Sequence, residues 1–484
     1  MSFRIIFSLY LLFIGTHLFA QDKIFNVENI IKREMQERRI PGLQIAIVQN
    51  GKIVVNKSYG IANIQDNVSV TNSTIFAINS CTKVFTGVAI MQLVEDGKID
   101  LSAPVSNYLD SLPNEWQPVT INQMLTHTSG FPDLLKILDP FVGSVGSLKN
   151  EEAIWEKLKT LPMDFKPGER FSYNQTNGYL LGKIINKLSG KPFAQMFSER
   201  QFQPLGMRNT LFGDSRDVIL HFAPTYNYRQ NIDGKRLPEE RLVNNYYEFP
   251  YFRRTAAGLN STAEDMANWI IALQTGKLIK SKSLLNIMWS PIQFNDGKFT
   301  PWALGWGMNK FRKKHKAVGM SGGGRAAFLV YPDDGLAVVV LTNLGGAFPE
   351  DFLEELAGVY NPEIMNADPV TFLRINLRKA GFEKAIEIAE KEKKINPQFI
   401  PSEFEINEWA YRMMAKNQLK EALEIFKLNV HLFPNSSNAY DSYAEVLLKT
   451  GNREEAIKMY KKSIELNPDN KNGKKVLEQI DKSK

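Results

Sequence analysis

The chain has 484 residues, 43% hydrophobic and 23% charged, which suits two to four packed domains and excludes a disordered chain. Its 59 basic and 52 acidic residues are interspersed and leave a net charge of +7, too mild for a nucleic-acid-binding surface. One cysteine excludes an intrachain disulfide, and the five histidines form no His-Glu-x-x-His or Cys/His cluster, so neither a metal nor another cofactor is expected.

Residues 1–20 are expected to be a signal peptide. Arg4 supplies the charged start, Ile5 to Gly15 is an apolar run too short to span a bilayer, and Leu18-Phe19-Ala20 before Gln21 makes a fair cleavage site. No cysteine follows that site and no later apolar run reaches membrane length. The rest of the chain is therefore expected to be exported, periplasmic or secreted, without a membrane span.

Residues 24–38 carry Ile24, Val27, Ile30, Ile31 and Met35 at helical spacing. Gly42 to Val48 and Lys52 to Tyr59 are β-rich and joined by Asn50-Gly51, a strong hairpin signal. Then comes Ser80-Cys81-Thr82-Lys83, opening a helix marked by Val84, Val88, Met91 and Leu93 and ended by Glu95-Asp96-Gly97. Ser80 and Lys83, three apart, share one helical face. A lysine held in a dry pocket at a helix start has its charged form disfavoured, so it can accept a serine proton. Amide N–H groups at the same place can hold an oxyanion. A capped surface helix would show the same four residues, so the pattern alone is weak. Cys81 is read as a core residue rather than a nucleophile.

Val119 to Pro132 predicts a short helix running into a turn, with His127 bonding backbone to hold that turn rather than acting in catalysis. Pro167 to Gly182 predicts a turn, a polar loop carrying Tyr173, and a helix burying Tyr179, Leu180, Ile184, Ile185 and Leu188. Over 256–273 a helix is expected, capped by Ser261 or Thr262 with Glu264-Asp265 in its first turn. From Ala303 the period switches to two. Leu304 to Met308 reads as a strand, with the basic run Arg312 to Lys316 as a solvated hairpin tip. Val318 to Gly324, Ala326 to Tyr331 and Leu336 to Thr342 read as three antiparallel strands, and Phe352 to Tyr360 as a closing helix. Gly319-Met320-Ser321-Gly322-Gly323 fits a Gly-x-Ser-x-Gly nucleophile elbow. That motif needs strand, turn and helix; here a strand follows, so the elbow is rejected.

Beyond residue 367 the composition shifts to Lys, Glu, Ala and Leu. Ala410 and Ala444, Ala422 and Ala456, Phe426 and Tyr460, and Pro434 and Pro468 are each 34 apart (444 − 410, and so on), the tetratricopeptide period. A degenerate copy runs from Leu373 to Pro397, and the 37-residue step from Ala385 to Ala422 marks a three-residue insertion. The domains expected are 1–20 signal peptide, 21–362 and 367–484, the last an all-α repeat offering a surface to a protein partner.

Residues 25 to about 360 resemble the serine β-lactamase and penicillin-binding-protein superfamily, most of all its class C-like branch of serine hydrolases. Ser80-Cys81-Thr82-Lys83 matches the first motif, Leu125-Thr126-His127-Thr128-Ser129-Gly130 a structural signature, Tyr173-Asn174-Gln175 the second motif and Met320-Ser321-Gly322 the third. Ser261 to Asp265 and Leu304 to Gly307 are further familiar blocks. The resemblance implies an α+β fold, an antiparallel sheet flanked by helices with an all-α subdomain, and the site between them. It implies acyl transfer through Ser80, with Lys83 and Tyr173 relaying the proton and the N–H groups of Ser80 and Gly323 as the oxyanion hole. Gln175, Met320 and Ser321 would then contact substrate, and no cofactor is needed. Two positions depart from the pattern. Gln175 stands where Asn is usual, and Met320 where Lys or His is usual. A thioether can neither pair with a carboxylate nor donate a proton. The resemblance therefore implies an esterase or peptidase acting on a small-molecule or peptide substrate, rather than a dedicated β-lactamase. The competing reading is an inactive binding module of the same fold.

Overall fold

The computed structural model describes residues 22–137, 151–232, 234–308, 310 and 312–482; the expected signal peptide lies outside them. The chain divides into two compact units, the first ending at Tyr360 and the second beginning at Asn361.

In the first unit, helix α1 (22–38) buries Val27, Ile30 and Ile31. Arg33 pairs with Glu355 (2.6 Å) and Arg38 with Asp351 (3.1 Å), tying this helix to the end of the unit. The hairpin β1 (Gly42–Gln49) and β2 (Lys52–Asn63) forms as expected. Asn50 (φ +51°) and Gly51 (φ +73°) both take the left-handed conformation that its tight turn requires. With β3 (Val68–Ser69), β4 (Val318–Gly322), β5 (Ala326–Tyr331) and β6 (Leu336–Thr342) they make a six-stranded antiparallel sheet, ordered β3-β2-β1-β6-β5-β4. The central pair joins distant chain: Leu43 faces Thr342 and Ile47 faces Val338.

Helix α2 (Thr82–Glu95) ends as expected, with Asp96 as cap and Gly97 at φ +71°. It is no surface helix. Every residue from Thr82 to Leu93 is buried, and Phe85 stacks at 4.1 Å on Trp269 of helix α4 (Ala263–Gln274). Helix α3 (Gln175–Ser189) flanks it, burying Tyr179, Leu180, Ile184 and Ile185. Thr262 caps α4 through the Asp265 N–H.

Leu304 to Met308 does not form the expected strand. Gly307 makes only single bridges, to Trp302 and Gly319. Gly305 turns the chain (φ +87°) because it packs on α2, where a Cβ would lie 3.1 Å from the Lys83 carbonyl. The basic run is also less free than expected: Arg312 pairs with Glu354 (2.6 Å), His315 with Asp334 (2.8 Å) and Lys316 with Asp333 (3.3 Å). A turn and then β5 follow Gly322, so the rejected elbow has no helix to sit on.

The second unit is helical. Pro369–Ala380 packs on Ala385–Ile395, Glu403–Ala415 on Leu419–Leu432, and Ser437–Lys449 on Arg453–Leu466, with Lys471–Lys482 last. Ala410, Ala422, Ala444 and Ala456, the period-34 positions, are fully buried. Seven residues (396–402) separate the first pair from the second and four (433–436) the second from the third. The difference of three is the insertion read from the register break.

Candidate active site

Ser80 lies one step ahead of α2, in a 3-10 turn spanning Asn79–Cys81, rather than opening the helix itself. Asn79 sits at φ +45°. The Thr82 hydroxyl fixes the turn, donating to the Asn79 carbonyl (2.6 Å) and accepting from the Leu259 N–H (3.0 Å). The end of β4 lies directly against it. A Cβ on Gly322 would overlap the Ile78 carbonyl and come within 3.0 Å of the Ser80 nitrogen. A Cβ on Gly323 (φ +59°) would overlap the Asn79 side chain. Only glycine permits this approach, which sets the backbone of Gly322 against Ser80 and Gly323 against the Asn79 side chain. Cys81 is buried with its thiol toward the Met320 and Ala326 carbonyls (3.7 and 3.8 Å), and burial raises its pKa. It is the core residue the sequence suggested.

Lys83 is 6% exposed. Its ammonium donates to the Ala256 carbonyl (2.8 Å) and Gln175 Oε1 (3.1 Å) and lies 4.6 Å from the centre of the Tyr173 ring. No direct hydrogen bond joins it to Ser80 among the described residues. The Ala256 carbonyl reaches it because α3 presents Gly178, where a Cβ would lie 2.8 Å from that of Ala256. Thr86 and Thr255 lock the contact, donating to the Thr255 carbonyl (2.7 Å) and the Gly178 carbonyl (2.8 Å). Burial first, and then the positive charge of Arg253, pull the Lys83 pKa down to about 7 against the opposing pull of Asp133 and Cys81.

Tyr173 stands on the loop before α3, as expected. His127 (φ +57°) holds that loop: its Nδ1 accepts from the Asn174 N–H (3.1 Å), and its carbonyl accepts from the Ser172 N–H (2.9 Å). Because an amide can only donate, the ring proton is on Nε2. Burial, then Lys83, keeps the imidazole neutral, well below its usual pKa. Its ring packs 4.6 Å from Tyr173, and Trp302 closes the cluster at 5.3 Å from His127 and 5.5 Å from Tyr173. The Tyr173 hydroxyl is buried without a well-directed hydrogen bond. Burial raises its pKa, and the nearby Ser80 and Gln175 side chains pull the other way.

Gln175 opens α3 and does more than the sequence suggested, accepting from Lys83 and donating its N–H to Asp133 (3.3 Å). Met320 belongs to the hydrophobic core of the unit, paired across the sheet with Phe328, and Ser321 is half-buried. Lys83, Tyr173 and Gln175 therefore meet beside the Ser80 turn, with Gly323 against Asn79 of that turn, while Met320 packs into the core and supplies no charge. Sequence reasoning missed Asp133, Trp302 and Arg253. Asp133 adjoins the matched signature block and Trp302 precedes another; nothing local marks Arg253.

Residues 27–358 match the family described as β-lactamase, and residues 437–470 match a tetratricopeptide repeat. The chain is 28% identical over 353 residues to "Protein flp" of Staphylococcus aureus (strain MW2), covering 72% of this chain and 68% of that protein. It is 27% identical over 330 residues to "Penicillin-binding protein 4*" of Bacillus subtilis (strain 168), covering 67% and 72%. Among solved structures, an octameric penicillin-binding protein homologue from Pyrococcus abyssi superposes with a TM-score of 0.61 at 28% identity, covering 74% of this chain and 81% of that one. A penicillin binding protein from Bacillus halodurans gives 0.55 at 26% identity, covering 66% and 95%. The family match spans well over half of the chain and encloses every residue of the cleft described above, so the chain belongs to the β-lactamase family of penicillin-binding-protein-like serine hydrolases, followed by a tetratricopeptide repeat.

Proposed function

We propose that this chain is an exported serine hydrolase that forms an acyl-enzyme on Ser80 and acts on an ester, amide or peptide. The observation that carries the reading is Lys83: a buried ammonium held by two neutral acceptors, with a pKa drawn to about 7, beside Ser80 and Tyr173. Near neutral pH such a lysine is half unprotonated and can take a proton.

In this reaction Ser80 Oγ attacks the acyl carbon. Its proton passes to neutral Lys83, directly or through Tyr173. The oxyanion accepts from the Ser80 and Gly323 N–H groups. The C–O or C–N bond to the leaving group then breaks, and the proton goes to that group. Water attacks the resulting ester on Ser80 by the same relay in reverse, releasing the acid. Met320 places no cation at the third motif, which favours substrates other than penicillins and disfavours a dedicated β-lactamase. The domain limits proposed are 21–362 for the hydrolase and 367–484 for the repeats, with residues 1–20 directing export. The repeats would engage a protein partner, because stacked helix pairs expose a concave face. Among the described residues no helix is long and apolar enough to cross a membrane.

The second reading, an inactive binding module, is favoured by Met320 alone. Intact-protein mass after a fluorophosphonate probe separates the two. One adduct on the wild type, absent from Ser80→Ala, is expected; no adduct on folded protein selects the binding module. The same measurement with benzylpenicillin tests a D,D-peptidase, for which a stable adduct is required.

A further inference from the structure

Arg253 is 9% exposed, yet its guanidinium is unspent. Its Nε is sealed from solvent without an acceptor, and no described residue accepts a hydrogen bond from its other nitrogens. Among the described residues no carboxylate lies within ion-pair distance, and the Phe249 ring lies 5.4 Å from Cζ. A mostly buried guanidinium is costly for a fold to hold, and such groups are normally paired.

Its turn packs on helix α3, which opens with Gln175. Arg253 ends that 3-10 turn (Tyr251–Arg253), three residues before the Ala256 carbonyl that holds Lys83. Its charge is felt by Lys83 on one side and by Asp133 on the other. Asp133 forms no ion pair with it, and its Oδ1 accepts instead from the Leu135 N–H (3.0 Å) and the Gln175 N–H (3.3 Å). The cleft thus borders a fixed cation whose two terminal nitrogens carry four donors, while Met320 brings no cation from the sheet.

We propose that Arg253 anchors a carboxylate carried by the substrate, which rests on the hydrolase reading above. A guanidinium takes a carboxylate through two parallel hydrogen bonds, and the strength of that pair rises in a desolvated site. One fixed positive charge, with Asp133 opposing it, matches a monoanion rather than a phosphate dianion. The site is thereby specific for acidic substrates although the third motif lacks its cation.

Two measurements test this. Full-length Ser80→Ala protein is titrated calorimetrically with monomethyl glutarate and with its neutral carboxamide counterpart. The acid is expected to bind about tenfold or more tightly than the amide. Adding Arg253→Gln should bring the two within about twofold, and Arg253→Lys, which keeps the charge but loses the fork, should fall between. In parallel, the Ser80-intact enzyme is assayed on two ester pairs: monophenyl glutarate against its carboxamide, and 3-acetoxybenzoate against 3-acetoxybenzamide. The acidic member of at least one pair is expected to be preferred, with the preference lost in Arg253→Gln. Each comparison is a ratio within one protein, so a general loss of activity does not move it. Equal binding of acid and amide, or a preference that survives Arg253→Gln, overturns the proposal. Acid-selective binding that needs Arg253, with no turnover of any ester, keeps the anchor and overturns the hydrolase reading instead.

Discussion

In the second unit each helix packs on its neighbour in sequence, as Glu403–Ala415 does on Leu419–Leu432. In the first, β1 pairs with β6 nearly three hundred residues away, and Lys83 is held by Gln175 and Ala256. Local contacts repeat, so their spacing is written in the sequence as a period. Long-range contacts converge on one point and leave no period. The hydrolase unit therefore concentrates its sensitivity in a few glycines and buried polar groups, whereas the repeat unit spreads it along a seam of small residues.

That contrast can be broken at its strongest point. Lys83→Met should lower kcat by about a thousandfold or more, as removal of a nucleophile's proton acceptor does. Ester hydrolysis under saturating substrate measures it. A loss of less than tenfold would return the base role to Tyr173 alone. Next in size is Gly322→Ala. Its Cβ meets the Ile78 carbonyl and must push β4 off the Ser80 turn, so kcat/KM should fall by about a hundredfold, in line with loss of an oxyanion donor.

His127→Ala removes the acceptor of a buried amide and one wall of Tyr173. It should destabilise the first unit by about 1–3 kcal/mol in urea unfolding and slow turnover more modestly than Lys83→Met. Smaller still are the shifts in pH profile. Activity needs neutral Lys83, so kcat/KM should rise with pH through a midpoint at about 7. Arg253 lowers that midpoint and Asp133 raises it. Arg253→Gln should therefore move it upward and Asp133→Asn downward, each by up to about one unit. Shifts of the same sign would sink this electrostatic account. At the other end, Ala456→Leu overfills a helix seam. It should cost the repeat unit about 1–3 kcal/mol while ester hydrolysis is unchanged. A matching loss of hydrolysis would show that the two units do not respond separately.

The motif residues were legible because their chemistry needs fixed types at short spacing. Ser80 and Lys83 sit three apart, Tyr173 and Gln175 two apart, and Gly323 follows the third motif. His127 was legible as a structural residue, and the Asn174 N–H on its Nδ1 is the backbone bond it was expected to make. The segment 304–308 misled because alternation is a signal of strands only where a partner strand exists. Gly305 spends its backbone on α2 instead.

By itself, the sequence determined most of the elements, the repeat register with its three-residue insertion, and the motif that carries Ser80 and Lys83. Periodicity and motif spacing are local properties, and those features are local. Only the tertiary structure decided that α2 is the buried axis of its unit and that Gln175 and the Ala256 carbonyl share the Lys83 ammonium. It alone left Arg253 unpaired beside them. Burial and electrostatic neighbourhood depend on which distant segments meet, and in this chain those segments come from residues 80, 133, 175, 256 and 323.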